Sequence, residues 1–296
     1  MNPEVTPFFH ATTSAWSYIV RDAGSDAAAI IDPVLDFDPA SGRVSTESAN
    51  KLLRHLRAHA LEPQWILETH VHADHLTAAA WLKAHTGAQV AIGARVAEVQ
   101  RTFKRLLELD DAFAADGSQF DVLLRDGDAL PLGGLQIEAF ATPGHTPDGM
   151  SYRINDAVFI GDTLFSPALG SARCDFPGGD AATLYRSVQR LYALPEATRI
   201  FLCHDYPKDG EAPCAQTTVA AQKSGNRHLA EEVDEAGFVA MRSDRDATLS
   251  VPKLLWPSLQ VNIRAGQLPP PANGGRRYLK LPLEAADWDE VDAPVA

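Results

Sequence analysis

The chain has 296 residues, enough for one large domain or two small ones with an ample core. It is 45% hydrophobic and 22% charged, which is ordinary for a globular protein, and no run approaches the roughly 20 apolar residues that span a bilayer. The formal charge of −13 argues against nucleic acid or an anionic membrane as a partner but leaves room for a local basic pocket.

Apolar runs alternate with helical patterns in chain order, so the expected class is α/β. Ser17 to Val20 and Ala27 to Asp32 are predicted strands, joined by the turn Asp22-Ala23-Gly24-Ser25, and Pro33 ends the second. Thr46 to Ala60 is predicted as an amphipathic helix with Ala49, Leu52, Leu53 and Leu56 on one face and Ser45 as its N-cap. Trp65 to Thr69 reads as a short buried strand. A histidine-rich segment follows, and helix is expected to resume from Leu76 to Ala84. Gln89 to Gly93 is a strand and Ala94 to Leu109 a helix. Leu135 to Thr142 is a strand running into the turn Pro143-Gly144-His145-Thr146-Pro147. Met150 to Ile154 and Ala157 to Ile160 form a hairpin around Asn155-Asp156. Thr183 to Ala193 is helical, and the strand Arg199 to Cys203 delivers His204. Beyond Asp205 the pattern weakens, and 265–275 reads as a Pro- and Gly-rich loop.

His70, His145, Asp162 and His204 each fall just past the end of an apolar strand. Strand ends along one edge of a sheet can bring distant residues to one point. The segment His70-Val71-His72-Ala73-Asp74-His75 packs four potential ligands into six residues. Imidazole and carboxylate together suit zinc, iron or manganese. On an extended loop His70 and His72 can point the same way, with Asp74 and His75 turned to a neighbouring position. Asp162 has two oxygens and could bridge two metals.

Thr69-His70-Val71-His72-Ala73-Asp74-His75, then Pro143-Gly144-His145-Thr146, then Gly161-Asp162, then His204 resembles the metallo-β-lactamase superfamily over about residues 10–210. The resemblance implies a four-layer αββα sandwich with metal at one edge of two sheets. Gly161-Asp162-Thr163-Leu164, Arg173-Cys174-Asp175-Phe176, Leu184-Tyr185-Arg186-Ser187-Val188, His204-Asp205-Tyr206 and the stretch from Pro257 to Gly266 are similar to the persulfide dioxygenases, in their longer bacterial branch. That likeness implies one Fe(II) per chain on His70, His145 and Asp162, with glutathione persulfide and O2 as substrates and sulfite and glutathione as products. His72, Asp74, His75 and His204 would then orient ligands and bound water. They would equally complete a two-zinc hydrolase site of the glyoxalase II thioesterase or lactonase type, and the residues alone leave both open. Against the hydrolase stands the lack of a basic stretch after His204.

Arg173 is a candidate to hold a loop at the metal site through Asp175 or to contact substrate. Tyr206, Asn262 and Arg264 are candidates for the pocket wall. Tyr185 is expected in the core and Cys203 as a buried small hydrophobe. Cys174, beside a positive charge, is a candidate reactive thiol. His10, His55, His59, His85 and His228 are expected on the surface. The chain is read as one domain over 1–296, with 210–296 as an extension packed on it. A cytoplasmic location is expected, from the odd, low cysteine count and the absence of a signal-like start, and a homodimer is possible.

Overall fold

The computed structural model describes residues 2–283. One six-stranded sheet runs, in spatial order, Glu4–His10, Ala15–Arg21, Ala27–Ile31, Glu62–Leu67, Gln89–Gly93 and Val122–Leu124. The second runs Ala129–Leu132, Leu135–Ala141, Met150–Ile154, Ala157–Phe159, Arg199–Phe201 and Gln216–Thr218. A small three-stranded sheet joins Arg43–Ser45, Val34–Asp38 and Leu76–Thr77.

The strand Ala27–Ile31 shows why the sheets stack. Its five residues are all buried, and side chains alternate between its two faces. Ala28 and Ile30 meet the helices Glu47–Ala58 and Val96–Leu106 through Leu52, Leu56 and Phe103. Ala27, Ala29 and Ile31 meet the other sheet through Tyr152, Ile154 and Phe159. A third apolar layer places Leu184, Val188 and Leu191 of the helix Ala181–Tyr192 against Val158 and Ile200. Each such leucine contributes about 2 kcal/mol by leaving water. The result is the αββα sandwich expected.

Several predicted boundaries moved for local reasons. Ser45 does not cap the helix Glu47–Ala58. Thr46 occupies the cap position but its side chain accepts from no helix amide, and Asp36 instead accepts from the Ser48 amide and hydroxyl at 2.8 Å each. Leu76–Thr77 pairs with Val34 and Leu35 as a strand, so the next helix is Ala79–Thr86, ended by left-handed Gly87. The helix from Ala181 starts two residues early because Asp180 caps it, accepting from the Thr183 amide at 2.7 Å.

Beyond Asp205 the chain is more ordered than its pattern suggested. The helices Val219–Gly225, Glu235–Asp246 and Leu255–Asn262 pack on the sandwich. Of the 210–296 extension, residues 284–296 lie outside the described part. No helix among the described residues is long and apolar enough to cross a membrane.

The strands Ala27–Ile31, Glu62–Leu67, Ala157–Phe159 and Arg199–Phe201 lie in parallel pairs, the first two in one sheet and the last two in the other. Leu135–Ala141 points the same way as Ala157–Phe159, since each is antiparallel to Met150–Ile154. The Met150 amide donates to the Thr69 carbonyl at 2.8 Å, and Ala15 bridges His204, so the sheets meet at this edge. The C-terminal ends of these strands therefore deliver Asp32, the segment 68–75, His145, Asp162 and His204 to one place.

Candidate metal centre

The segment from Glu68 to His75 is a loop buried in the protein, so its peptide groups need partners. Asp32 Oδ1 accepts from the Thr69 amide at 2.8 Å, and Asp148 Oδ2 accepts from the Val71 amide at 2.9 Å. Tyr152 donates to the Glu68 carbonyl at 2.7 Å. Asn262 donates through Nδ2 to the His72 and His75 carbonyls, at 2.8 Å each, and accepts from the Thr77 amide at 2.8 Å. These bonds tie the loop to both sheets and to the C-terminal helix.

Hydrogen bonds also fix which nitrogen each ring presents. Thr69 Oγ1 donates to Asp32 Oδ2 at 2.9 Å and so accepts from His70 Nδ1 at 3.0 Å, leaving His70 Nε2 bare. His72 Nε2 donates to Asp32 Oδ1 at 3.1 Å, leaving Nδ1 bare. His145 Nδ1 donates to the Arg173 carbonyl at 2.7 Å, and His204 Nδ1 to the Ser14 carbonyl at 3.1 Å. In both, Nε2 turns to the site. Asp32 thus orients two histidines at once. It can do so because its φ of +46° bends the chain back just past its strand. Burial pushes Asp32 up to about 6, against the Thr69 bonds that favour its anion, and burial raises Glu68 well above the usual carboxylate range.

The bare atoms converge. His70 Nε2, His72 Nδ1, both nitrogens of His75, His204 Nε2 and Asp162 Oδ1 are buried without hydrogen-bond partners. The rings of His70 and His72 lie 4.1 Å apart, His72 and His75 4.2 Å, and His70 and His145 5.3 Å. Ligand atoms of His70, His145 and Asp162 all lie within 4.8 Å of one another. Asp74 Oδ2 sits 3.2 Å from His204 Nε2, and Asp162 Oδ1 3.6 Å. So many orphaned polar atoms in a buried site would be costly, and a metal ion satisfies them together. Burial lowers His70, His72 and His75, keeping their lone pairs available. Burial also opposes charge on His204, but the carboxylates of Asp74 and Asp162 raise it.

Two glycines make room. Gly161 has φ +52°, and a Cβ there would lie 2.6 Å from Thr69 Oγ1. At Gly144, φ +135°, a Cβ would lie 2.3 Å from the Leu184 amide nitrogen.

A cavity of about 700 Å³ opens above Asp74, His145 and Asp162. Arg173 and Tyr206 line it, while Asn262 and Arg264 do not. Arg264 stacks its guanidinium 4.4 Å over Phe113 and bonds the Gln260 carbonyl. Asn262 acts from behind, on the loop. Arg173 makes a forked pair with Asp175 at 2.5 and 2.6 Å and reaches the Ser250 carbonyl. Tyr206 is half exposed, its ring parallel to His204 at 6.1 Å.

Other expectations need correction. Cys174 is buried and burial pushes its thiol up, so the Arg173 charge does not make it a reactive thiolate. His228 is buried rather than on the surface, and accepts from the Ser171 amide at 3.0 Å. Basic residues do follow His204: Arg242, Arg245 and Lys253 all line the cavity, assembled by the helix Glu235–Asp246 and the segment after it. Arg242 is paired with Asp246 at 2.6 Å. Arg245 and Lys253 carry no ion pair among the described residues. The lack of a basic run therefore does not separate dioxygenase from hydrolase.

A family model described as metallo-beta-lactamase superfamily matches residues 11–204. The chain is 52% identical over 291 residues to a probable metallo-hydrolase of Burkholderia pseudomallei, covering 95% of this chain and 99% of that one. It is 31% identical over 201 residues to the mitochondrial persulfide dioxygenase ETHE1 of Homo sapiens, covering 67% of this chain and 66% of that one. The crystal structure of ETHE1 from Myxococcus xanthus matches with a TM-score of 0.71 at 30% identity, covering 89% of this chain and all of that one.

Proposed function

This chain belongs to the metallo-beta-lactamase superfamily, and from that premise we propose that it is a persulfide dioxygenase using one Fe(II) held by His70, His145 and Asp162. The observation that carries the reading is this triple. Two imidazoles and a carboxylate meet beneath a cavity that His145 and Asp162 line, an arrangement suited to non-haem iron with open positions. The likeness to the persulfide dioxygenase ETHE1 supports it. When bound, the iron supplies redox chemistry toward O2 and a position for the outer sulfur of glutathione persulfide. The balance is one persulfide, one O2 and one water to glutathione, sulfite and two protons.

The residues of the chain do the rest. Asp32, Thr69 and the Arg173 carbonyl hold the imidazoles in the ligating tautomers. Glutathione carries two carboxylates, and Arg245 and Lys253 offer cations on the cavity wall to receive them. Phe165, Leu169 and Leu249 line the same cavity and give it an apolar wall.

A two-zinc hydrolase is the second reading, favoured by the bare nitrogens of His72, His75 and His204 beside Asp74 and by the 52% identical metallo-hydrolase. Metal content and O2 uptake on one anaerobically purified sample separate the two. About one iron per chain, with O2 consumed and sulfite formed from glutathione persulfide, is the expected result. Two zincs, no O2 uptake and hydrolysis of S-lactoylglutathione would overturn it.

A further inference from the structure

We propose an oxyanion-binding subsite on the cavity wall built by the segment after His204, in which His228 and Arg245 receive a carboxylate or an inorganic oxyanion beside the buried guanidinium of Arg242. All three residues line the cavity of about 700 Å³. His228 is 7% exposed and Arg242 2%, while Arg245 is exposed. Buried basic groups on a cavity wall need a reason, because burial is costly unless a partner or a ligand answers them. The Nε of Arg242 is buried without a hydrogen-bond partner.

Ser171 joins the two buried residues. Its amide donates to His228 Nδ1 at 3.0 Å, and its carbonyl accepts from Arg242 Nη1 at 3.3 Å. An amide N–H can only donate, so His228 Nδ1 carries the lone pair and the proton of the neutral ring sits on Nε2. That Nε2–H has no hydrogen-bond partner among the described residues. The ring is held in place from behind. Asn226 Oδ1 accepts from the His228 and Leu229 amides at 2.9 Å each. Gly170, φ +93°, lies so close that a Cβ there would stand 2.2 Å from His228 Nδ1. Burial and the charges of Arg242, Arg245 and Arg227 hold His228 down to about 4, so at neutral pH it is a donor without charge.

The charges around the ring do not cancel. Arg242 is paired with Asp246 at 2.6 Å, and Asp246 also accepts from the Cys174 amide. Arg227 donates to the Ala168 carbonyl at 3.3 Å. Three guanidinium groups act on His228 and Asp246 pairs with one of them, which leaves a local excess of positive charge in a chain of net charge −13. A fixed N–H beside an unanswered guanidinium is the chemistry that recognises an oxyanion. One oxygen takes the imidazole N–H, and the fork of Arg245 takes the same oxygen and its neighbour. A cation would be repelled there, and a neutral ligand would leave the charge of Arg245 unanswered. The subsite uses no metal donor, so it stands whichever of the two reactions the enzyme performs. If the oxyanion is a carboxylate of the substrate proposed above, which rests on that reading, His228 joins Arg245 and Lys253 as its contacts.

The test is a titration of the full-length chain with sodium sulfate at constant ionic strength, followed by calorimetry and by the histidine nitrogen resonances of the isotope-labelled chain. The expected result is saturable binding, with a neutral Nε2–H histidine whose resonances shift along the same curve. His228→Asn keeps an acceptor for the Ser171 amide but removes the cavity donor, and Arg245→Ala removes the exposed cation. Each should weaken sulfate binding about tenfold. Lys83→Ala should not, since that lysine is paired with Asp121 and does not line the cavity. Displacement of sulfate by S-methylglutathione assigns the subsite to a carboxylate of a bound substrate, and binding of both together assigns it to a free oxyanion. No saturable binding, or binding unchanged in either variant and so an adventitious ion only, would overturn the proposal. Arg245 is exposed, so its variant tests the subsite even where His228→Asn fails to fold. Sulfate binding is read without O2 or turnover, so its failure is distinct from failure of the dioxygenase reading.

Discussion

Asn262 is the residue on which the site's geometry depends from furthest away in sequence. Its buried amide makes three bonds of 2.8 Å to the loop that carries His72 and His75. Asn262→Ala removes all three and leaves space for water to replace part of them. At a net cost of about 1 kcal/mol per bond the fold should lose about 3 kcal/mol. For a chain of this size that is a fall in Tm of about 6–12 °C. The two carbonyls also set the directions in which His72 and His75 leave the backbone. Loss of comparable supporting bonds weakens metal binding about 10- to 100-fold. Thermal unfolding of the metal-free chain reads the first effect, and competition against a chelator reads the second. Arg264→Ala serves as the control, since its cation–π contact with Phe113 is worth about 1 kcal/mol and touches no ligand. A metal affinity unchanged in Asn262→Ala, or lowered equally in Arg264→Ala, would refute the reasoning.

Three further outcomes are expected. Gly161→Ala forces a Cβ to 2.6 Å from Thr69 Oγ1 at a φ of +52°, so it should cost roughly 2 kcal/mol and lower metal content, read by unfolding and metal analysis. Arg245→Ala with Lys253→Ala should raise KM for an anionic thiol substrate about three- to tenfold with kcat unchanged, the effect fading at high salt; an equal loss of kcat would place these residues elsewhere in the mechanism. His228 is held down to about 4 from 6.5 by burial and by Arg242, Arg245 and Arg227 around it. Because the unfolded chain binds its proton first, the stability it contributes is full above about pH 6.5 and is lost as pH falls toward 4. That loss is about 3 kcal/mol, and His228→Asn, which keeps an acceptor for the Ser171 amide, should flatten the fall in Tm between pH 7 and pH 5.

The ligand cluster was legible because four donors stood within six residues and the remaining donors each closed an apolar strand. Asp32 was not. In the sequence it reads as the end of a strand before Pro33, and only its left-handed backbone turns its carboxylate onto Thr69 and His72. The strand Glu4–His10 was hidden by Pro7, which is tolerated because this strand is the sheet edge. Arg242, Arg245 and Lys253 form no basic run. Arg242 and Arg245 are brought to the cavity by a helix whose start is marked only by Asp234, which accepts from the Gly237 amide at 2.8 Å. Asn262 was visible as a polar residue in an apolar stretch, but its role depends on backbone groups about 190 positions away, which no local pattern records.

These hidden residues have a common consequence. The segment after His204 reaches the metal centre by three separate routes. Asn262 holds the His72–His75 loop from one side. Asp246 accepts from the Cys174 amide at 2.8 Å, and Arg242 donates to the Ser171 carbonyl, which together fix the stretch whose Arg173 carbonyl sets the tautomer of His145. Arg245 and Lys253 then supply charge to the cavity above. The His145 side of the centre and the Arg245 side of the cavity are therefore linked through one helix, Glu235–Asp246. A substitution that shifts this helix would move His145 and the cationic wall together. Metal affinity and KM should accordingly change in concert for core variants such as those at Phe238, and separately for variants confined to the cavity surface.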